Sequence, residues 1–182
     1  MSAKENLTKD DWLRAAMELL RTRGTGGVRV LPLAKQLGVS RGSFYWHFED
    51  RDDLLRGMLD WWDREMTDGV IRIANQSRGS ARKRLTAVAE DVVRFRRNAY
   101  DAAMRTWAEG DKSAAKTLKR VVRKRLDYVT SLFREAGFSP AEARARGDLL
   151  AVYIMSEDSI LAHETLETRL RLLRRQIRLL TS

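Results

Sequence analysis

Between Ser40 and His47 the chain reads Ser-Arg-Gly-Ser-Phe-Tyr-Trp-His. Two hydroxyls, a guanidinium, a phenol, an indole and an imidazole crowd into this short stretch. Such groups donate hydrogen bonds and offer flat rings, which suits the phosphate oxygens and base edges of a nucleic acid. In a helix, Arg41 and Tyr45 lie one turn apart on the same side, and Phe44 and Phe48 point inward. Gly42 carries no side chain and lets a duplex come close. The helix N-terminus at Ser40 adds unpaired N–H groups, a favourable place for a phosphate.

Other chemistries find little support. The sequence holds two histidines, His47 and His163, and no cysteine. A zinc or nickel site usually draws on several His, Cys or carboxylate ligands, and a disulfide scaffold needs cysteine. No strand-to-helix serine elbow, phosphate-binding loop or dinucleotide glycine pattern occurs, so neither an enzyme nor a cofactor is expected. No membrane span is expected, and the N-terminus shows no apolar signal core, so the expected address is cytoplasmic.

The net charge of +10 points to a polyanionic partner. Its distribution qualifies that reading. Residues 1–55 hold nine basic and eight acidic side chains, whereas residues 56–182 hold 26 and 17. The excess therefore lies outside the stretch best suited to DNA.

Positioning that stretch requires helices. Two prolines in 182 residues, 43% apolar content and long 3.6-residue periodicities predict an all-α chain of about nine helices. Thr8 and Asp11 form a capping pair ahead of Trp12, Leu13, Ala16, Met17 and Leu20, and Gly24 ends that helix. A short helix follows, with Pro32 in its first turn and Leu33, Ala34 and Leu37 inward. Gly38-Val39 is a tight turn, and Ser40 caps a second short helix to about His47. Asp50 caps a helix to about Ile73, and residues 75–80 are a loop. Further helices are expected from Ser80, with Leu85, Val88, Ala89, Val92 and Phe95 inside, and over 101–109. Another spans 112–136, striped by Leu118, Val121, Val122, Leu126, Val129, Leu132, Phe133 and Ala136. The next starts at the Ser139-Pro140-Ala141-Glu142 capping box and carries Leu149, Leu150, Tyr153, Ile154 and Ile160. The last covers about 166–180.

The stretch Leu33–Leu55 is thus helix, glycine turn, short helix and capped helix, and a glycine turn lets two helices cross steeply. Leu33-Ala34, Gly38-Val39-Ser40, Arg41-Gly42, Phe44-Tyr45, His47-Phe48 and Arg51 ahead of Leu54-Leu55 closely resemble the TetR family of helix-turn-helix transcriptional regulators. The resemblance covers roughly residues 8–60. It implies that Ser40, Arg41, Tyr45, His47 and Arg51 contact phosphates, or bases for Arg41, and that Ser43 and Trp46 lie toward the major groove. Where the family usually places a capping threonine, this chain has Val28. Leu31-Pro32 also stand where polar residues are common, which leaves Arg29 as a substitute phosphate contact.

The expected organisation is a DNA-binding domain over 1–50 and a helical effector-binding and dimerisation domain over 51–182. Trp62, Phe95, Met104, Trp107 and Tyr128 are the candidates for a pocket that takes a small apolar or aromatic effector. In the last helix Leu166, Leu170, Leu173, Ile177 and Leu180 recur at steps of four and three, the seam of a helix bundle. With Leu149 and Tyr153 they form the expected homodimer interface. The expected function is a ligand-responsive repressor bound to a palindromic double-stranded operator. The alternative is a helical module that binds RNA or an anionic membrane surface.

Overall fold

The computed structural model describes residues 7–77 and 79–182. Among these every regular element is a helix. They are α1 (Lys9–Gly27), α2 (Val30–Leu37), α3 (Arg41–Phe44), α4 (Arg51–Asp63), a π-helical turn (Arg64–Asp68), α5 (Gly69–Gln76), α6 (Ala81–Arg94), α7 (Arg97–Gly110), α8 (Lys112–Glu135), α9 (Pro140–Ile160) and α10 (Leu166–Leu180). Because α4, the π turn and α5 follow one another without a break, the described residues make nine helical rods, as expected. No helix of the described residues is long and apolar enough to cross a membrane.

The caps show why the helices start where they do. Asp11 donates its backbone N–H to the Thr8 hydroxyl, and the Asp11 carboxylate accepts from the Thr8 backbone and hydroxyl at 2.9 and 2.6 Å. The side-chain bond, then the backbone bond, holds the Asp11 carboxyl below its ordinary pKa. Ser139 and Glu142 repeat the box ahead of α9, with Pro140 at its first position. In α1 the regular helix breaks at Gly24, whose backbone is left-handed (φ 64°).

Two compact units divide the chain. The first comprises residues 1–64 and 102–118, the second 65–101 and 119–182. In the first, α1 packs on α2 and α4 through Trp12, Leu13, Ala16, Met17 and Leu20, all buried. A Cβ at Gly57 of α4 would meet Leu13 of α1 at 3.1 Å, so the bare glycine permits this close approach.

In the second unit α6 is central, against α5, α9 and α10. Its Leu85, Ala89 and Val93 join Val129, Leu132, Phe133 and Leu150 in one core. Beside this core lies an ionic network. Glu157 of α9 is fully buried and accepts two bonds from Arg169 of α10, at 2.5 and 2.6 Å. Arg169 also donates to Asp158, which Arg96 approaches from the α6–α7 link. Arg125 serves the π turn in a similar way. It donates to the Thr67 hydroxyl, the Met66 carbonyl and the Asp101 carboxylate at 2.9, 3.1 and 2.7 Å.

Several sequence expectations need correction. The helix expected to stop near Ile73 continues to Gln76, because the π turn absorbs an extra residue without breaking the rod. The loop expected over 75–80 thereby shrinks, and its Arg78 lies outside the described residues. The helix expected over 101–109 begins at Arg97. Phe95, expected inside, is 64% exposed. It caps α6 where the chain turns through Arg96 (φ 49°), and its ring lies against the Arg97 guanidinium instead. Val122, Ala136, Leu149 and Ile160 are also exposed, because each stripe is narrower than the periodicity suggested.

The largest correction concerns α10. Leu170, Leu173 and Ile177 are buried within the chain's own core against α6 and cannot meet a second copy directly. Leu180 and Tyr153 pack half-buried on that core. Of the seven residues expected in a dimer seam, only Leu149 and Leu166 are exposed. The seam spacing was real, but α6 occupies it.

Candidate nucleic-acid interface

The helix-turn-helix is built from the aromatic core outward. Phe44 and Phe48 are buried and stack with ring centroids 5.3 Å apart. Trp12 of α1 meets Phe44 edge-on at 5.6 Å. Such aromatic pairs contribute about 0.5–1.5 kcal/mol beyond the area they bury. The Lys9 ammonium sits 4.8 Å from the Phe48 ring centre. These contacts leave α3 little freedom to tilt on α1.

The turn into α3 depends on Gly38. Its backbone is left-handed (φ 70°), a conformation that costs other residues about 1–2 kcal/mol. Its N–H donates to the last carbonyls of α2, and the Val39 N–H donates to the Ala34 carbonyl at 3.0 Å. Ser40 then occupies the N-cap position of α3, but its hydroxyl makes no cap bond. Regular helix ends at Phe44 rather than near His47. Beyond it Tyr45 and His47 donate to carbonyls three residues back, at 3.1 and 3.0 Å. Phe48 donates to the Phe44 carbonyl at 3.1 Å, and both rings enter the core.

That anchoring leaves the other face to solvent. Trp46 is 88% exposed and Tyr45 49%. Ser40, Arg41 and Gly42 are exposed, and Ser43 and His47 half-buried. Arg41 Nη2 donates to the Tyr45 hydroxyl at 2.9 Å, so the two side chains expected on one side do meet. A guanidinium has five N–H donors, and one bond leaves the fork able to take a guanine edge or a phosphate.

Val28 is fully buried and Arg29 takes the N-cap position of α2 without a side-chain cap bond. Arg29 is exposed, with Nε on the Gly26 carbonyl at 2.9 Å. Arg51 plays a part that sequence reasoning missed. Its Nε and Nη2 donate to the carbonyls of Val28 and Thr25, both at 2.8 Å, and so tie α4 to the α1–α2 connection. No local pattern signals a bond across more than twenty residues.

The pocket candidates fall in both units. Trp62, Met104 and Trp107 are buried in the first. Phe95 is exposed in the second, and Tyr128 there is half-buried with its hydroxyl on Asn75 Oδ1 at 2.7 Å. Sequence reading did not mark the exposed apolar face that Val152 and Met155 make on α9 with Leu149 and Ile160. Their spacing of three, three and five from Leu149 was the available signal.

Comparison with known proteins agrees with this architecture. Residues 13–58 match the family model for bacterial regulatory proteins of the tetR family. An HTH-type transcriptional regulator of Saccharopolyspora erythraea is 28% identical over 164 residues, 88% of this chain and 65% of its own length. The chain thus spans less than two thirds of that relative's length. A TetR-family regulator from Streptomyces coelicolor has the same fold, with a TM-score of 0.74 at 20% identity over 93% of this chain and 86% of that one. A transcriptional regulator from Saccharomonospora viridis, solved in complex with choline, gives 0.74 at 17% identity over 93% of each chain. Residues 13–58 thus match the helix-turn-helix of the tetR family of bacterial regulatory proteins, and the chain as a whole shares the all-helical fold of TetR-family transcriptional regulators.

Proposed function

We propose that this chain is a homodimeric, ligand-responsive repressor that reads a palindromic operator with α3. The observation that carries the proposal is a rigidly backed recognition segment with an exposed outer face. Phe44 and Phe48 hold it, while Arg41, Tyr45 and Trp46 face solvent. Ser40, Gly42, Ser43 and His47 complete the contact surface, and Arg29 supplies a phosphate contact beside it. Arg51 acts from behind by holding the α1–α2 connection.

One α3 reads only a few base pairs, so two copies are needed for two half-sites about one helical turn, or a multiple of it, apart. The exposed face of α9 with Leu166 and Leu179 of α10 is the surface for that second copy. Residues 1–50 then serve DNA, and 51–182 serve dimerisation and effector binding. The effector acts by binding more tightly to a form that no longer fits the two half-sites. Trp62, Met104 and Trp107 remain its candidate partners in the first unit and Tyr128 in the second, and the choline complex of a protein of like fold supports a small-molecule effector.

Selection of bound duplexes from a random pool tests the reading, and a palindromic sequence is the expected outcome. Arg41→Ala and Tyr45→Phe should each weaken binding to that duplex by about 1–3 kcal/mol, roughly 5- to 150-fold, with the melting temperature unchanged. Wild-type affinity in both variants would refute the contact assignment. Recovery of random sequences alone would refute the function.

A further inference from the structure

The helix-turn-helix carries almost no net charge, with nine basic against eight acidic residues up to position 55. Yet phosphate neutralisation supplies essentially all non-specific DNA affinity and a large share of specific affinity. Some other surface has to supply that attraction. The exposed face of α8 has the required chemistry. Lys112, Lys116, Lys119 and Arg123 recur at steps of four, three and four, which places them in one row along the helix, and all four are exposed. Arg120 lies beside the row.

Within a folded monomer this row is unfavourable. Like charges one turn apart destabilise a helix. Elsewhere the chain sets its cations against carboxylates, as in Arg169 on Glu157, Arg174 on Glu90 and Arg144 on Asp148. On this face the only carboxylate in the pattern is Asp127, 3.7 Å from Arg123. Lys112, Lys116 and Lys119 make no ion pair among the described residues.

The opposite face of α8 limits what the partner can be. Ala114, Thr117, Val121 and Val129 are buried, so the helix has no free apolar side to lay into a lipid surface. A row of cations without an apolar companion fits a rod of phosphates. The eleven helical steps from Lys112 to Arg123 cover about 16 Å. A DNA duplex presents one charge per about 1.7 Å of its axis, so each cation along that length has phosphates within reach.

We infer that the Lys112–Lys116–Lys119–Arg123 face of α8 is a second DNA surface, which binds the duplex backbone without reading its sequence. The inference rests on the function proposed above and adds to it the source of the electrostatic affinity.

The test uses the full chain, the duplex selected from the random pool and a scrambled duplex of the same composition. Lys112, Lys116 and Lys119 are replaced together by Gln, and in a second variant by Arg. The Gln variant should bind both duplexes at least about tenfold more weakly at 0.1 M salt. Its log–log salt slope should be shallower by about two to three, near 0.9 per lost phosphate contact. The ratio between the two duplexes should not change, because backbone contacts carry no sequence information. The Arg variant should keep the wild-type slope. An unchanged slope in the Gln variant overturns the inference and leaves the proposed function standing. So does a Gln variant that loses its preference between duplexes. Tighter binding of the wild type to phosphatidylserine vesicles than to the scrambled duplex overturns it as well. If the wild type shows no preference for the selected duplex, the proposed function fails and the inference with it.

Discussion

Leu173→Glu combined with Ile177→Glu should leave the second unit unfolded. Both side chains are buried in the core that α10 shares with α6. Truncating a buried Leu or Ile to Ala already costs about 2–5 kcal/mol. A carboxylate in the same place adds the cost of dehydrating a charge, or of protonating it to avoid that. Two such sites together reach the whole stability of an ordinary domain, about 5–15 kcal/mol. Circular dichroism should show helicity lost and no cooperative melt. The pair Leu149→Glu with Val152→Glu, on the exposed face of α9, makes the contrast. That variant should keep wild-type helicity, sediment as a monomer and lose operator binding. A folded monomer from the α10 pair would instead mean that its stripe faces a second copy.

A second large effect is expected at the buried ion pair. Arg169→Met removes both hydrogen bonds to Glu157 and leaves a fully buried carboxylate without its cation. Breaking such a pair from one side costs about 3–5 kcal/mol. The double variant Arg169→Met with Glu157→Leu leaves no stranded charge and should recover most of the loss. The measurement is urea unfolding of both variants beside the wild type, read as midpoint at constant slope. A single variant as stable as the wild type would show that the pair contributes little.

Much of this protein was legible in its sequence. The helix starts at Thr8, Asp50, Ser80 and Ser139 follow from side chains that bond the backbone within three residues. The turn at Gly38 follows from a left-handed backbone that glycine adopts without strain. The inward Phe44 and Phe48, with Tyr45 and Trp46 turned outward between them, follow from the periodicity of one short segment. All these are local effects, settled within a turn or two of chain.

Tertiary structure decided the rest, because it depends on which surfaces find each other across long separations. Periodicity marked α10 as apolar on one side, but it carries no label for the partner. Leu173 could have met a second copy, and it meets α6 instead. Arg51 reads like a surface cation near a recognition helix, yet it is drawn to the carbonyls of Thr25 and Val28 because those groups come within its reach only in the fold. The buried Glu157 looks like any acidic residue on a helix until Arg169 is brought against it from the next one. Local sequence determines which helices form and which sides are apolar. Packing alone determines which of those sides are covered, and so which residues remain for DNA and for a second copy.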